Sequence, residues 1–135
     1  MTQREVNNLA YKIVGCAIEV HRQLGPGLLE SIYEKCLVEE LTYQGFSIKQ
    51  QVNIPITYKS KTLDCELRLD LLINDCIIVE LKAVEELNPL YQAQLLTYLR
   101  LLKKPKGLLI NFNCINITDN MIPLVTEEFA KLKKE

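Results

Sequence analysis

Apolar residues recur at helical spacing from Glu5 to Leu24, with Val6, Leu9, Ala10, Ile13, Val14, Ala17, Val20 and Leu24 in one stripe that Gly25-Pro26-Gly27 stops sharply. A second stripe, Leu29, Ile32, Tyr33, Cys36, Leu37 and Leu41, predicts another helix, ended by Gly45 at the position of a C-cap. The two should pack as a hairpin around the glycines. After Gly45 the period changes to two. Phe46 to Val52 and Ile54 to Tyr58 read as strands, Pro55 placing the second at an edge or an irregular entry, and Lys59-Ser60-Lys61 reads as a turn.

The strongest strands run from Leu63 to Ile73 and from Cys76 to Val84, joined by Asn74-Asp75, two residues suited to left-handed backbone in a tight hairpin. Asn88-Pro89 then opens a third helix through Tyr91, Leu95, Tyr98, Leu99 and Leu102, which Lys103-Lys104-Pro105 ends. Gly107 to Phe112 returns as a buried strand. With a helix before it the connection is a crossover, so this strand should run parallel to an earlier one. Asn120 to Glu135 reads as a short amphipathic helix ending in a solvated KLKKE. No repeat, low-complexity segment or linker interrupts the chain, so residues 1–135 are expected to form a single domain.

Composition narrows the function. The 48% hydrophobic content of 135 residues suffices for one core and hardly for two. Sixteen basic residues against seventeen acidic ones leave a net charge of −1, which excludes a global basic field for nucleic acid and requires any phosphate-bearing partner to be met locally. Five cysteines, an odd number with no CxxC pair, fit small hydrophobes in a reducing cytoplasm better than a disulfide framework or metal cluster. The first residues lack a basic, then apolar, pattern and no uncharged run approaches the roughly 18 residues of a membrane span. The expectation is a cytoplasmic protein away from the membrane.

The charges inside "RLDLLINDCIIVELKAVE" (68–85) then stand out, because burial without partners is costly even for neutral polar groups, on the order of 2–7 kcal/mol. Residues two apart on a strand share a face, so Glu80 and Lys82 are neighbours. A turn centred between residues 74 and 75 sets residue 80 opposite about 69, and a one-residue slip or bulge brings Asp70 to Glu80. Two carboxylates beside an ammonium suit Mg²⁺, which keeps several waters, with the lysine steering hydroxide or stabilising a pentavalent phosphate. The plain alternative is a half-exposed Glu80–Lys82 salt bridge and an exposed Asp70.

The ordered set Asp70, Glu80-Leu81-Lys82 and Gln94-Leu-Leu-Thr-Tyr98 resembles the PD-(D/E)XK nuclease superfamily, the last element resembling the Q-x-x-x-Y helix of its RecB-like branch. Upstream, Gly27-Leu-Leu-Glu30-Ser-Ile-Tyr33 resembles the signature of the small GxxExxY proteins of that superfamily. The resemblance implies an α/β fold: a restriction-endonuclease-like core with a central mixed sheet, an N-terminal helical hairpin and a crossover helix before the last core strand. It further implies Asp70 and Glu80 as principal ligands of Mg²⁺ or Mn²⁺, Glu30 as an additional acidic ligand or orienting group, Lys82 as the catalytic lysine, and Gln94 and Tyr98 as supports of the site or substrate contacts. Leu69 stands where the family pattern has proline.

Other residues carry two readings. Glu30 and Tyr33 also fit a first helical turn, an acid complementing the dipole and an aromatic packing inward. His21 reads as a hydrogen-bonded packing residue, although the helix hairpin could bring it toward Glu30. Gln94 and Tyr98 also fit a polar rim and a core aromatic. Lys103, Lys104 and Lys106 read as a solvated helix end, with a phosphate-backbone role as the alternative, which Lys59 and Lys61 share. Two functions follow: a metal-dependent phosphodiesterase acting on DNA, or a noncatalytic nuclease-fold module that binds nucleic acid or a protein partner, including a second copy as a homodimer.

Overall fold

Thr2 starts the first helix through a capping box, its Oγ1 accepting from the Glu5 N–H at 3.1 Å while Glu5 Oε1 accepts from the Thr2 N–H at 3.2 Å. In the computed structural model, which describes residues 1–135, this helix, α1, spans Gln3–Leu24 and buries the predicted stripe, with Val6, Ile13 and Ala17 fully enclosed. The second, α2, spans Glu30–Tyr43 and packs against α1. Its buried face is narrower than its apolar spacing predicts: Tyr33, Leu37 and Leu41 are enclosed, whereas Leu29 is the exposed N-cap residue and Ile32 faces outward. Gly45, at φ 85°, ends α2 in a Schellman motif, with its own N–H on the Thr42 carbonyl and that of Phe46 on the Leu41 carbonyl.

Seven strands follow: β1 Ile48–Asn53, β2 Ile56–Tyr58, β3 Lys61–Leu63, β4 Arg68–Ile73, β5 Ile77–Lys82, β6 Lys106–Asn111 and β7 Met121–Val125. Five form a mixed sheet in the order β1-β4-β5-β6-β7, antiparallel except for the parallel pair β5 and β6. The expected crossover is α3, Pro89–Leu102, capped by Asn88 Oδ1, which accepts from the Leu90 N–H at 2.8 Å. It lies so close to β6 that a Cβ at Gly107 would sit 3.0 Å from Leu99 and 3.1 Å from Leu95.

Alternating strand residues fill two apolar layers. Leu71, Ile73, Ile77, Val79, Leu81, Leu108 and Ile110 pack under α1 and α2, whereas Leu72, Ile78 and Leu109 pack under Leu95, Tyr98 and Leu99 of α3. The fold is therefore the expected α/β arrangement, a mixed sheet with the helical hairpin on one face and the crossover helix on the other.

Three local expectations are corrected. The strand expected over 63–73 is two pieces: Lys61–Leu63 pairs with β2 as a separate ribbon, and a break at Glu66, φ 51°, precedes β4. The link between β4 and β5 is three residues, because Ile73 pairs with Ile77 and Cys76, its N–H on the Ile73 carbonyl, stays out of the ladder. The tail expected to be one helix instead supplies β7, followed by the short helix α4, Glu127–Ala130. The alternation of Ile122 and Leu124, which pack toward α3, with Met121 on the other face satisfies a strand, and Pro123 is tolerated because β7 is an edge. No helix is long and apolar enough to cross a membrane.

Candidate active site

The three-residue link shifts the hairpin register by one, setting Asp70 opposite Glu80. The β4–β5 backbone ladder stops at Leu71↔Val79. Beyond it the carboxylates take over: Glu80 Oε1 accepts from the Asp70 N–H at 2.8 Å, and Asp70 Oδ2 accepts from the Leu81 N–H at 2.9 Å. Each acid thus satisfies a backbone donor that the diverging strands leave open, and that offsets much of the cost of burial. Glu80 is only 5% exposed, while Asp70 is half-buried and reaches the surface.

Asp70 helps to line an open cleft of about 420 Å³ with Glu30, Glu34, Lys35 and Gln51, a cleft with no hydrophobic lining residue. Glu30 enters from the first turn of α2 and Glu34 one turn later. Gln51, on β1 between the pairs Gln50↔Leu71 and Val52↔Leu69, has left-handed backbone at φ 50°. Its Nε2 donates to Glu34 Oε1 at 3.2 Å and Oε2 at 3.3 Å, and to Asp70 Oδ1 at 3.4 Å. Lys82 lies on the same face of β5 as Glu80, with its Nζ 4.6 Å from the centroid of the Tyr91 ring on α3.

The electrostatics are those of crowded acids. Burial raises the Glu80 carboxyl from 4.5 to about 8, reinforced by repulsion from Asp70 and opposed by the Asp70 N–H and Lys82. Burial also raises Glu30, with repulsion from Asp70 and Glu34 added and Lys82 opposing. Glu34 is raised by burial and by Asp70, against the Gln51 hydrogen bond. Even the Tyr98 phenol is raised, by burial first and then by Glu80 and Asp70. The donors are hard oxygens in excess of positive charge, a set that suits a hard divalent cation. No three metal-ligating side chains converge on one point, however, so Asp70 and Glu80 form a pair with Glu30 set apart.

Tyr98 is buried within the α3 layer, and Gln94 is exposed on the outer side of the helix with no hydrogen bond to another side chain. Tyr33 is structural: its ring stacks on Phe112 at 4.8 Å, and its hydroxyl donates to the Gly25 carbonyl at 2.6 Å and accepts from the Leu28 N–H at 3.2 Å. It thereby ties the glycine loop to α2 just before Glu30. His21 donates from Nε2 to the Cys114 carbonyl at 2.7 Å and packs in the helix layer.

Lys104 and Lys106, the alternative phosphate contacts, are engaged within the protein. Lys104 bonds Asp75 at 2.9 Å beside the β4–β5 turn, and Lys106 bonds Asn7 at 3.0 Å. That turn lies five residues from Glu80, about 16 Å along the strand.

Four residues near the site lie outside the motifs: Glu34, Gln51, Tyr91 and Asn111. Asn111, fully buried and paired with Lys82 across β5 and β6, accepts from the Val84 N–H at 3.1 Å and donates to the Val84 carbonyl at 2.9 Å, fixing the chain as it leaves Lys82. A polar residue between Ile110 and Phe112 is its sequence signal. Comparison with curated proteins and with solved structures finds no match. The family model described as the PD-(D/E)XK nuclease superfamily matches residues 7–122. That span runs from the first turns of α1 into β7 and takes in every carboxylate of the cleft, and the chain belongs to the PD-(D/E)XK nuclease superfamily.

Proposed function

We propose that the chain is a metal-dependent nuclease that hydrolyses phosphodiester bonds of DNA, a GxxExxY protein on the RecB-like side of the superfamily. The observation that carries this reading is the reciprocal hold of Asp70 and Glu80 on each other's strands, with Lys82 on the same face. Asp70 and Glu80 would hold Mg²⁺ or Mn²⁺, and Glu30 would act on it from the helix end. Two carboxylates leave most of a coordination shell to water, as Mg²⁺ prefers. A bound cation supplies Lewis acidity toward the phosphate and makes water a better nucleophile near neutral pH.

The protein's own groups do the rest. The Lys82 ammonium, steadied by the Tyr91 ring, orients the attacking water and stabilises charge developing on the phosphate oxygens. The Asp70 and Leu81 N–H groups fix the Glu80 and Asp70 carboxylates before substrate arrives. Tyr98 supports this face from within the α3 layer, and Gln94 is free to meet the substrate.

Calorimetric titration with Mg²⁺ and Mn²⁺ tests the metal site. The expected result is saturable binding that raises the melting temperature as RT ln(1 + [L]/Kd) requires, about 2.7 kcal/mol at a hundredfold excess over Kd, and that Asp70→Asn abolishes. Absence of saturable binding would favour the second reading, a noncatalytic module for nucleic acid or a protein partner. That reading draws on the lack of a three-ligand cluster.

A further inference from the structure

β1, β2, β3 and β4 are one long hairpin in two halves. The near half belongs to the main sheet, and the Ile54 N–H on the Leu67 carbonyl at 2.7 Å extends its ladder past Asn53↔Arg68. Beyond the break at Glu66, the far half pairs only with itself, through Ile56↔Leu63 to Tyr58↔Lys61. The ribbon therefore leaves the sheet at the end where Gln51 faces Asp70. Its base is anchored, since Ile54 is buried in the layer that holds Leu69 and Tyr98. Its tip is fixed by two left-handed residues, Lys59 at φ 49° and Ser60 at φ 68°.

The tip chemistry is distinct from that of the cleft. Tyr58 is 61% exposed, with the Lys59 ammonium 5.6 Å from its ring centroid, and neither Lys59 nor Lys61 forms an ion pair. Around the site, Glu30, Glu34, Asp70 and Glu80 outnumber Lys35 and Lys82, and the whole chain carries a net charge of −1. A polyanion gains no attraction there and has to be held by cations placed beside the site.

We propose that the β2–β3 ribbon is an arm for single-stranded nucleic acid, with Lys59 and Lys61 on phosphates and Tyr58 stacked on an unpaired base. This rests on the nuclease reading and extends it to the substrate. Eight residues separate Gln51 from Lys59, at most about 26 Å of extended chain, which corresponds to about eight nucleotides of stacked strand. The arm therefore grips the strand to one side of the position cut. An exposed aromatic ring selects a single strand, because bases in a duplex are already stacked.

The test is fluorescence anisotropy of labelled single-stranded and duplex oligonucleotides with Lys82→Ala protein in Mg²⁺, alone and with arm substitutions added. Lys59→Ala with Lys61→Ala should lower the slope of log affinity against log salt by about 1.4, the share of two single-strand phosphates. Tyr58→Ala should weaken single-strand binding about 5- to 150-fold, the worth of one base–aromatic stack, and leave duplex binding unchanged, and Tyr58→Phe should restore it. Melting temperatures should stay constant because these side chains are exposed. If the Lys82→Ala protein binds the strand and the arm substitutions change neither affinity nor slope, the arm is refuted while the nuclease reading stands. If neither it nor the parent protein binds or cleaves nucleic acid in Mg²⁺, both fall.

Discussion

Charged residues persist inside apolar strands where their oxygens have donors. Asp70 and Glu80 meet that condition by capping the end of the β4–β5 ladder, but the exchange does not remove the cost of charging Glu80 inside the protein. Its folded pKa is raised from 4.5 to about 8, so its contribution to stability is fully present below 4.5 and is lost as pH rises through 8. In chelator, stability should fall across that window by up to about 1.4 kcal/mol per pH unit, and Glu80→Gln should flatten the fall. Equal dependence on pH of the unfolding free energy of the two proteins, measured by urea denaturation, would refute this. At this scale the sequence is partly legible: the spacing of Asp70, Glu80 and Lys82 brings them together, as the fold does. Glu34, Gln51 and Tyr91 were not, because an acid on a helix, a glutamine in a polar strand and an aromatic on an apolar stripe look ordinary until the fold sets them beside Asp70 and Lys82.

Elements are legible where one periodicity runs uninterrupted, as in α1, α3 and the crossover into β6. They are hidden where backbone conformation overrides the pattern. The apolar run from Leu63 hid the break at Glu66, and the strand-like alternation of Met121–Val125 was masked by Pro123, which only an edge position permits. The hairpin turn was right in place but one residue short, and that residue decides whether Asp70 meets Glu80. Asn74 holds the turn, with φ 51° and its Oδ1 accepting from the Ser47 N–H at 2.8 Å. Asn74→Ala should therefore lose about 1–2 kcal/mol, from left-handed strain and the missing hydrogen bond, whereas Asn74→Gly should lose less because it keeps the turn. Equal urea midpoints for the two variants would contradict this account of the turn.

For the whole molecule, the mixed sheet between a helical hairpin and a crossover helix follows from the order of apolar patterns, and superfamily membership over residues 7–122 agrees with it. The architecture gathers residues from α2, β1, β4 and β5 at one end of the sheet and directs the β2–β3 ribbon out from that end, while Lys104 and Lys106 are engaged elsewhere. On the proposed reading, acid stands where a cation would bind, and Lys59 and Lys61, which form no ion pair, stand where a polyanion would be held. The central claim is that the Asp70, Glu80 and Lys82 constellation cuts DNA. Its most direct test is cleavage of labelled linear and circular, single- and double-stranded DNA in Mg²⁺ and Mn²⁺, with identically purified Lys82→Ala protein alongside. Metal-dependent cleavage by the parent is expected to fall by at least about a hundredfold in the variant, the cost of removing a charge-stabilising group from an active site. Equal cleavage by both proteins, or no cleavage by the parent, would contradict it.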